Sequence, residues 1–534
     1  MTRKLPRRLT ALTVGLLAVG ATAHASANTS PAHDPAVVTV DSGAIKGRVH
    51  DDHRVFWGVP YAAPPVGERR WLPPSPAEAW SGVRDATRPG SACPQLASPY
   101  GGEASLDEDC LFLNVTTPPD ARPGDDLPVM VWLHGNGSIG SGDVFDASRI
   151  AAEGDIVVVT VNYRLGVFGA FGHPDLADSG TIGLQDQRAA FSWVRRNATA
   201  FGGDAGNVTA FGVSFGATSV SGHLMSPLSQ GLFDKVIMHS GFATMDAPAN
   251  ALFPGLGRLD YYGWRTDAEV RELGATVAAE LGCAGDDALE CLRAKSVREL
   301  LDHPDIMNLF QSYAYGNEQL PMEPRRAVQD GHIAAMPTMV GTTLDEHRTF
   351  VAIRELMFDI LTEGDYDQIL ADAFGDDAAA VAAEYPLSDF DNPSLAVAQV
   401  FTDRMWAAPA HRLNGQLASR APVFVFEFAD TNPPEEFPFP PHLPSGAYHN
   451  ADISYLFRDP DFEARLDERQ ARLSRDMIKY WTSFARHGAP LVSDLPEWPP
   501  FADDGHVQSL DPNGIAPTDY VAAHRLAFWR SIGF

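Results

Sequence analysis

The sequence predicts an α/β fold, a large and mostly parallel central sheet flanked by helices, with a small antiparallel sheet ahead of it. Three observations carry that reading. Short apolar runs rich in valine, isoleucine and phenylalanine recur along the chain, stretches of helical periodicity separate them, and two of the runs end directly in glycine-rich turns.

The runs stand at residues 129–133, 156–161, 208–213, 236–238, 339–341 and 423–428. They are almost continuously apolar, as strands buried on both faces are. Between the second and third, residues 185–201 set Ala189, Ala190, Trp193, Val194 and Phe201 among charged residues, the pattern of an amphipathic helix. A second helix near the C-terminus carries Leu473, Met477, Tyr480, Trp481 and Phe484 at helical spacing, which reads as a stripe facing the core. Alternation of strand and helix implies a parallel sheet. The opening runs at 37–40, 44–49 and 55–61 are closely spaced and read as antiparallel strands. No glycine/serine-rich or proline-rich linker and no repeat interrupts residues 28–534, which read as one domain.

Residues 1–27 read as a secretory signal peptide. Arg3, Lys4, Arg7 and Arg8 precede an apolar stretch at 9–23 that closes on Ala25-Ser26-Ala27, so cleavage is expected before Asn28. The stretch is shorter than the ~20 residues needed to span a bilayer, which argues against a membrane anchor. No later apolar run approaches that length. The mature chain is therefore expected to be secreted. A formal net charge of −29 over 534 residues argues against nucleic acid and anionic membranes as partners.

The four cysteines form two local pairs, Cys93 with Cys110 and Cys283 with Cys291, and in an exported chain these read as two disulfides. Neither pair has the two-residue spacing of a zinc site and no histidine lies near either, so no metal is expected. Nothing in the sequence calls for a cofactor.

In strand–helix sheets, reacting groups collect at the carboxyl ends of the strands. The run at 208–213 leads into Gly212-Val213-Ser214-Phe215-Gly216, followed by a small-residue helix start. A serine on such a strand–turn–helix is forced into a strained backbone conformation that thrusts its hydroxyl out of the sheet, toward the positive end of a helix. Ser214 is the candidate nucleophile. The run at 129–133 leads into His134-Gly135-Asn136-Gly137-Ser138-Ile139-Gly140-Ser141-Gly142. Glycines this dense let backbone amides converge on one point, which is what a developing oxyanion requires. The expected donors are the amides of Asn136, Gly137 and Phe215.

Further segments carry a family resemblance. They are Gly58-Val59-Pro60-Tyr61-Ala62, Glu108-Asp109-Cys110-Leu111-Phe112-Leu113-Asn114-Val115, Val161-Asn162-Tyr163-Arg164-Leu165-Gly166, Gly183-Leu184-Gln185-Asp186-Gln187 and Phe201-Gly202-Gly203-Asp204. With the serine motif they make the chain resemble the type-B carboxylesterases, the family of cholinesterases and bile-salt-activated lipase. The resemblance implies an α/β-hydrolase fold and a triad ordered serine, glutamate, histidine. Gly341-Thr342-Thr343-Leu344-Asp345-Glu346 resembles the acid loop and makes Glu346 the acid. Gly446-Ala447-Tyr448-His449-Asn450-Ala451-Asp452 resembles the histidine loop and makes His449 the base. It also implies ion pairs between Arg70 and Glu108 and between Arg164 and Asp204. The implied activity is hydrolysis of small to medium uncharged carboxylic esters through an acyl-enzyme. The alternatives are an interfacial lipase of the same family and, retaining the fold without the chemistry, a binding module. The second would lack the serine or the histidine, and this chain has both.

Four residues depart from the family's usual pattern: Asn136 and His347 stand where glycine is common, Val213 where glutamate is, and Phe215 where alanine is. Cholinesterases also carry a tryptophan inside the first disulfide loop, to face a quaternary ammonium group. Residues 94–109 contain none, so choline esters are not the expected substrates.

Overall fold

The computed structural model describes residues 34–98, 102–502 and 505–534. The expected signal peptide lies outside them. Residues Pro35–Phe534 cluster as one compact unit.

The chain opens with β1 (Val37–Val40), β2 (Gly43–Lys46), β3 (Arg48–Val49), β4 (Arg54–Pro60) and β5 (Val83–Asp85). It continues through β6 (Phe112–Thr117), β7 (Leu127–Leu133), β8 (Val157–Val161), β9 (Gly203–Val213) and β10 (Lys235–His239). Then come β11 (Trp264–Thr266), β12 (Tyr313–Tyr315), β13 (Thr338–Thr343), β14 (Val423–Phe428), β15 (Gln508–Leu510) and β16 (Ala516–Pro517). Among the described residues the large sheet has eleven strands in the order β16-β15-β14-β13-β10-β9-β7-β8-β6-β4-β3. From β8 to β15 every neighbouring pair is parallel, and the antiparallel strands stand at the two edges.

The six apolar runs are thus the parallel core of the sheet. Side chains alternate between its faces. On β7, Val129, Val131 and Leu133 join one apolar cluster, while Met130 and Trp132 join the other. The helix Ile182–Asn197 covers the first face with Phe191, Trp193 and Val194, and the helix Glu468–His487 covers the second with Leu473, Met477, Trp481 and Phe484. The first helix is shifted from the expected 185–201, because its last turn tightens into a 3-10 turn at Ala198–Phe201.

The opening strands divide. β1 and β2 pair antiparallel, as expected, but β5 adds to β2 in parallel, and the run at 55–61 leaves this small sheet to become β4, an antiparallel neighbour of β6 in the large one. Arg70 pairs with Glu108 at 2.6 Å. Arg164 does not pair with Asp204. Its Nε and Nη2 reach Asp186 at 2.8 and 2.7 Å, in the first turns of the helix Ile182–Asn197, whereas Asp204 lies at the far, amino end of β9 and accepts the Gly206 amide. The cysteines meet as Cys93–Cys110 and Cys283–Cys291, with Cα–Cα distances of 4.9 and 5.5 Å.

Candidate active site

Ser214 follows β9 and precedes the helix Phe215–Met225 with φ 54° and ψ −119°, a conformation that costs a non-glycine residue of order 1–3 kcal/mol. The surroundings hold it there. Its amide donates to the His239 carbonyl at 2.8 Å and its carbonyl accepts from Thr218 at 2.9 Å. A Cβ at Gly212 would lie 2.7 Å from the Leu133 carbonyl oxygen, and one at Gly216 would overlap the same oxygen, so the turn closes only with glycine at both places.

The loop after β7 is tied down on every side. The Tyr163 hydroxyl donates to the His134 carbonyl at 2.6 Å, Gly140 donates to Gln95 Oε1 at 2.6 Å, Gly142 donates to Asn162 Oδ1 at 2.6 Å, and Gln311 donates to the Ser138 hydroxyl at 2.7 Å. Burial pushes the His134 imidazole down to about 4, so it sits in this framework as a neutral ring stacked on Tyr163. Asn136 takes φ 69°, the left-handed conformation that asparagine tolerates better than other side chains. Among the described residues, the amides of Asn136, Gly137 and Phe215 donate to no loop or turn carbonyl, so the three expected donors are uncommitted. The Phe215 ring lies against Tyr313, with centroids 5.0 Å apart, and a Cβ on Gly137 would come within 3.1 Å of it. Val213 is buried in the second apolar cluster.

Glu346 follows β13 and is fully buried. Its Oε1 accepts the Thr343 amide at 2.9 Å and its Oε2 meets Nδ1 of His449 at 2.5 Å. Asp345 stitches the two loops together: its amide donates to the Ala447 carbonyl at 3.0 Å and its Oδ2 accepts the Ala447 amide at 2.9 Å. Burial raises the Asp345 carboxyl, an effect that Arg348 at 2.7 Å opposes.

Strand order joins this pair to the serine. β10 lies between β9 and β13, and His239 at its end is in register with both Val213 and Gly341. Ser214 and the acid loop therefore leave the same edge of the sheet two strands apart, roughly 10 Å.

Two other histidines, His239 and His524, are almost completely buried and contact carboxylates, and the second ring nitrogen separates them from His449. Nδ1 of His239 meets Asp452 at 2.6 Å, and its Nε2 accepts the Trp481 indole N–H at 3.0 Å. His524 contacts Asp403 and Glu427, one with each nitrogen, at 2.6 and 2.5 Å. Only His449 of the three keeps a buried Nε2 with no hydrogen-bond partner among the described residues. It alone can take up a proton without breaking a bond.

Sequence reasoning missed His239, Gln95 and Gln311, and it placed Asp345 and Asp452 in the acid and histidine loops without giving either a partner. These pairings have no local signature, since each partner lies far along the chain.

The model of the carboxylesterase family matches residues 34–529. Cocaine esterase of Oryctolagus cuniculus is 36% identical over 506 residues, covering 89% of this chain and 90% of the relative. Para-nitrobenzyl esterase of Bacillus subtilis (strain 168) is 33% identical over 483 residues, covering 88% and 93%. A solved structure of a PNB esterase superposes with a TM-score of 0.73 at 31% identity, over 92% of this chain and 99% of that one.

Proposed function

The chain belongs to the carboxylesterase family and is a carboxylic ester hydrolase, and on that premise we propose that it is a secreted enzyme that forms an acyl-enzyme on Ser214. His449 takes the hydroxyl proton on Nε2 as Ser214 Oγ attacks the ester carbonyl. The amides of Asn136, Gly137 and Phe215 stabilise the oxyanion, each donor worth about 2.7–4 kcal/mol. Collapse breaks the bond to the alcohol, which leaves with the proton from His449. Water then repeats the cycle and releases the acid. Glu346 fixes the tautomer of the imidazole and stabilises its charged form.

The observation that carries this reading is His449 itself, with Nδ1 committed to Glu346 and a buried, unpartnered Nε2. The signal-like residues 1–27 and two disulfides support export.

Small to medium uncharged esters are the proposed substrates. Phe215 and Tyr313 line the oxyanion loop with apolar rings, Phe350 and Trp406 lie against His449, and Val213 supplies no carboxylate for a cation. The relatives named cocaine esterase and para-nitrobenzyl esterase agree with a carboxylic ester as the substrate. Ser214→Ala tests the chemistry: it should fold and lose roughly 10³-fold or more of the ester-hydrolysis rate, and normal turnover would refute the proposal.

One observation favours a second reading, an esterase that works at an apolar surface. Leu356, Met357, Phe358 and Ile360 stand exposed in one run at the end of the helix Arg348–Met357, which begins two residues after Glu346.

A further inference from the structure

His347, one of the four departures from the pattern of the family resemblance, is fully buried and uses all of its hydrogen-bonding groups. Its amide donates to the Thr402 hydroxyl at 3.0 Å. Its Nε2 donates to the Ala251 carbonyl at 2.8 Å, and its Nδ1 accepts the indole N–H of Trp406 at 3.3 Å. These contacts agree on one neutral tautomer. Burial, reinforced by the neighbouring His449, pushes His347 down to about 4, so Nδ1 remains an acceptor at neutral pH.

The indole it holds is one wall of the pocket around His449. Trp406 lies 4.7 Å from the His449 ring at 50°, and Phe350 lies 5.1 Å from it at 55°. The two walls touch each other at 5.4 Å, and His347 stacks behind Phe350 at 5.2 Å. Thr402 and Trp406 belong to one π-helical segment, Thr402–Ala407, a distortion of the kind that recurs at functional sites. His347 therefore grips both ends of this segment, its backbone at Thr402 and its ring at Trp406. A glycine could make only the backbone contact.

We infer that His347 is a positioning residue for His449: by fixing the indole of Trp406 it holds the imidazole in the orientation that keeps Nδ1 on Glu346 and leaves Nε2 open for the serine proton. The inference rests on His449 being the base. An imidazole free to tilt would spend part of its time out of line with the reacting hydroxyl, and errors of an ångström in such geometry cost up to about 10²-fold in rate. The effect belongs chiefly in kcat, because the hydrogen bond that is lost joins two side chains of the enzyme and does not itself touch the substrate.

The test compares turnover of a soluble nitrophenyl ester by wild type, His347→Leu, His347→Gln, Trp406→Phe and the Leu/Phe double variant. Leucine fills the space without accepting, and phenylalanine keeps a ring without donating. A glutamine amide can both accept from the indole and donate to Ala251. We expect His347→Leu and Trp406→Phe each to lower kcat roughly tenfold with KM held within about twofold, and the double variant to be no slower than either single. His347→Gln should recover most of the loss. A glutamine variant as slow as the leucine one, losses that multiply in the double variant, or a loss confined to KM would overturn the inference. Should His347→Leu fail to fold, Trp406→Phe alone and combined with His347→Gln decides: without the indole N–H, glutamine should bring no recovery, and recovery would contradict the proposal. Full turnover by His449→Gln would remove the base assignment instead, and this inference with it.

Discussion

Asp452 sets its Oδ2 2.6 Å from Nδ1 of His239, the residue whose carbonyl accepts the amide of Ser214. One buried pair thus ties the loop carrying His449 to the turn carrying the nucleophile. Asp452→Ala strips a carboxylate from a buried hydrogen bond, and should cost about 3 kcal/mol of stability and lower kcat roughly tenfold. Urea unfolding and steady-state kinetics measure the two effects. Unchanged stability would show that the pair bears no strain between the loops.

His524 predicts a pH dependence. Although burial opposes its charge, the carboxylates of Glu427 and Asp403 raise it to about 10. A histidine raised in the folded state stabilises fully below its unfolded value near 6.5, and that contribution is lost as pH climbs toward 10. His524→Gln should therefore lower Tm most at pH 6, with the gap from wild type narrowing up to pH 10. A gap that widens with pH has the wrong sign and refutes the charged state.

Each disulfide closes a short loop, with sequence separations of 17 and 8. Loop-closure entropy gives about 3 and about 2.5 kcal/mol respectively. Replacing Cys93 and Cys110 by alanine should lower unfolding free energy by about 3 kcal/mol, and thermal melts with and without reductant provide an independent check.

The exposed run at 356–360 separates the two substrate readings. Met357→Asp and Phe358→Asp should leave hydrolysis of a dissolved short-chain ester as it was. If the enzyme works at apolar surfaces, they should slow hydrolysis of an emulsified long-chain ester at least fivefold, since two apolar anchors worth about 1.5–3 kcal/mol each are removed. Equal rates on the emulsion would leave dissolved esters as the substrates.

What was legible in the sequence was local. Strands buried on both faces announce themselves as apolar runs, so the parallel core could be read directly, and the serine turn has a five-residue pattern fixed by sterics. Interactions across the chain were hidden. Spacing does not distinguish Asp186 from Asp204 as the partner of Arg164, because only the fold brings the helix Ile182–Asn197 to that guanidinium. Nor could it reveal that the run at 55–61 would join the large sheet. His347 was visible only as a departure from a pattern, and its use depends on Trp406, which lies in a long insertion without periodic signal.

The most direct measurement is covalent labelling with a fluorophosphonate followed by peptide mass spectrometry. One label per chain is expected, on Ser214, abolished by Ser214→Ala and slowed at least a hundredfold by His449→Gln. A folded wild-type protein that takes no label at Ser214, or labels equally fast without His449, would contradict it.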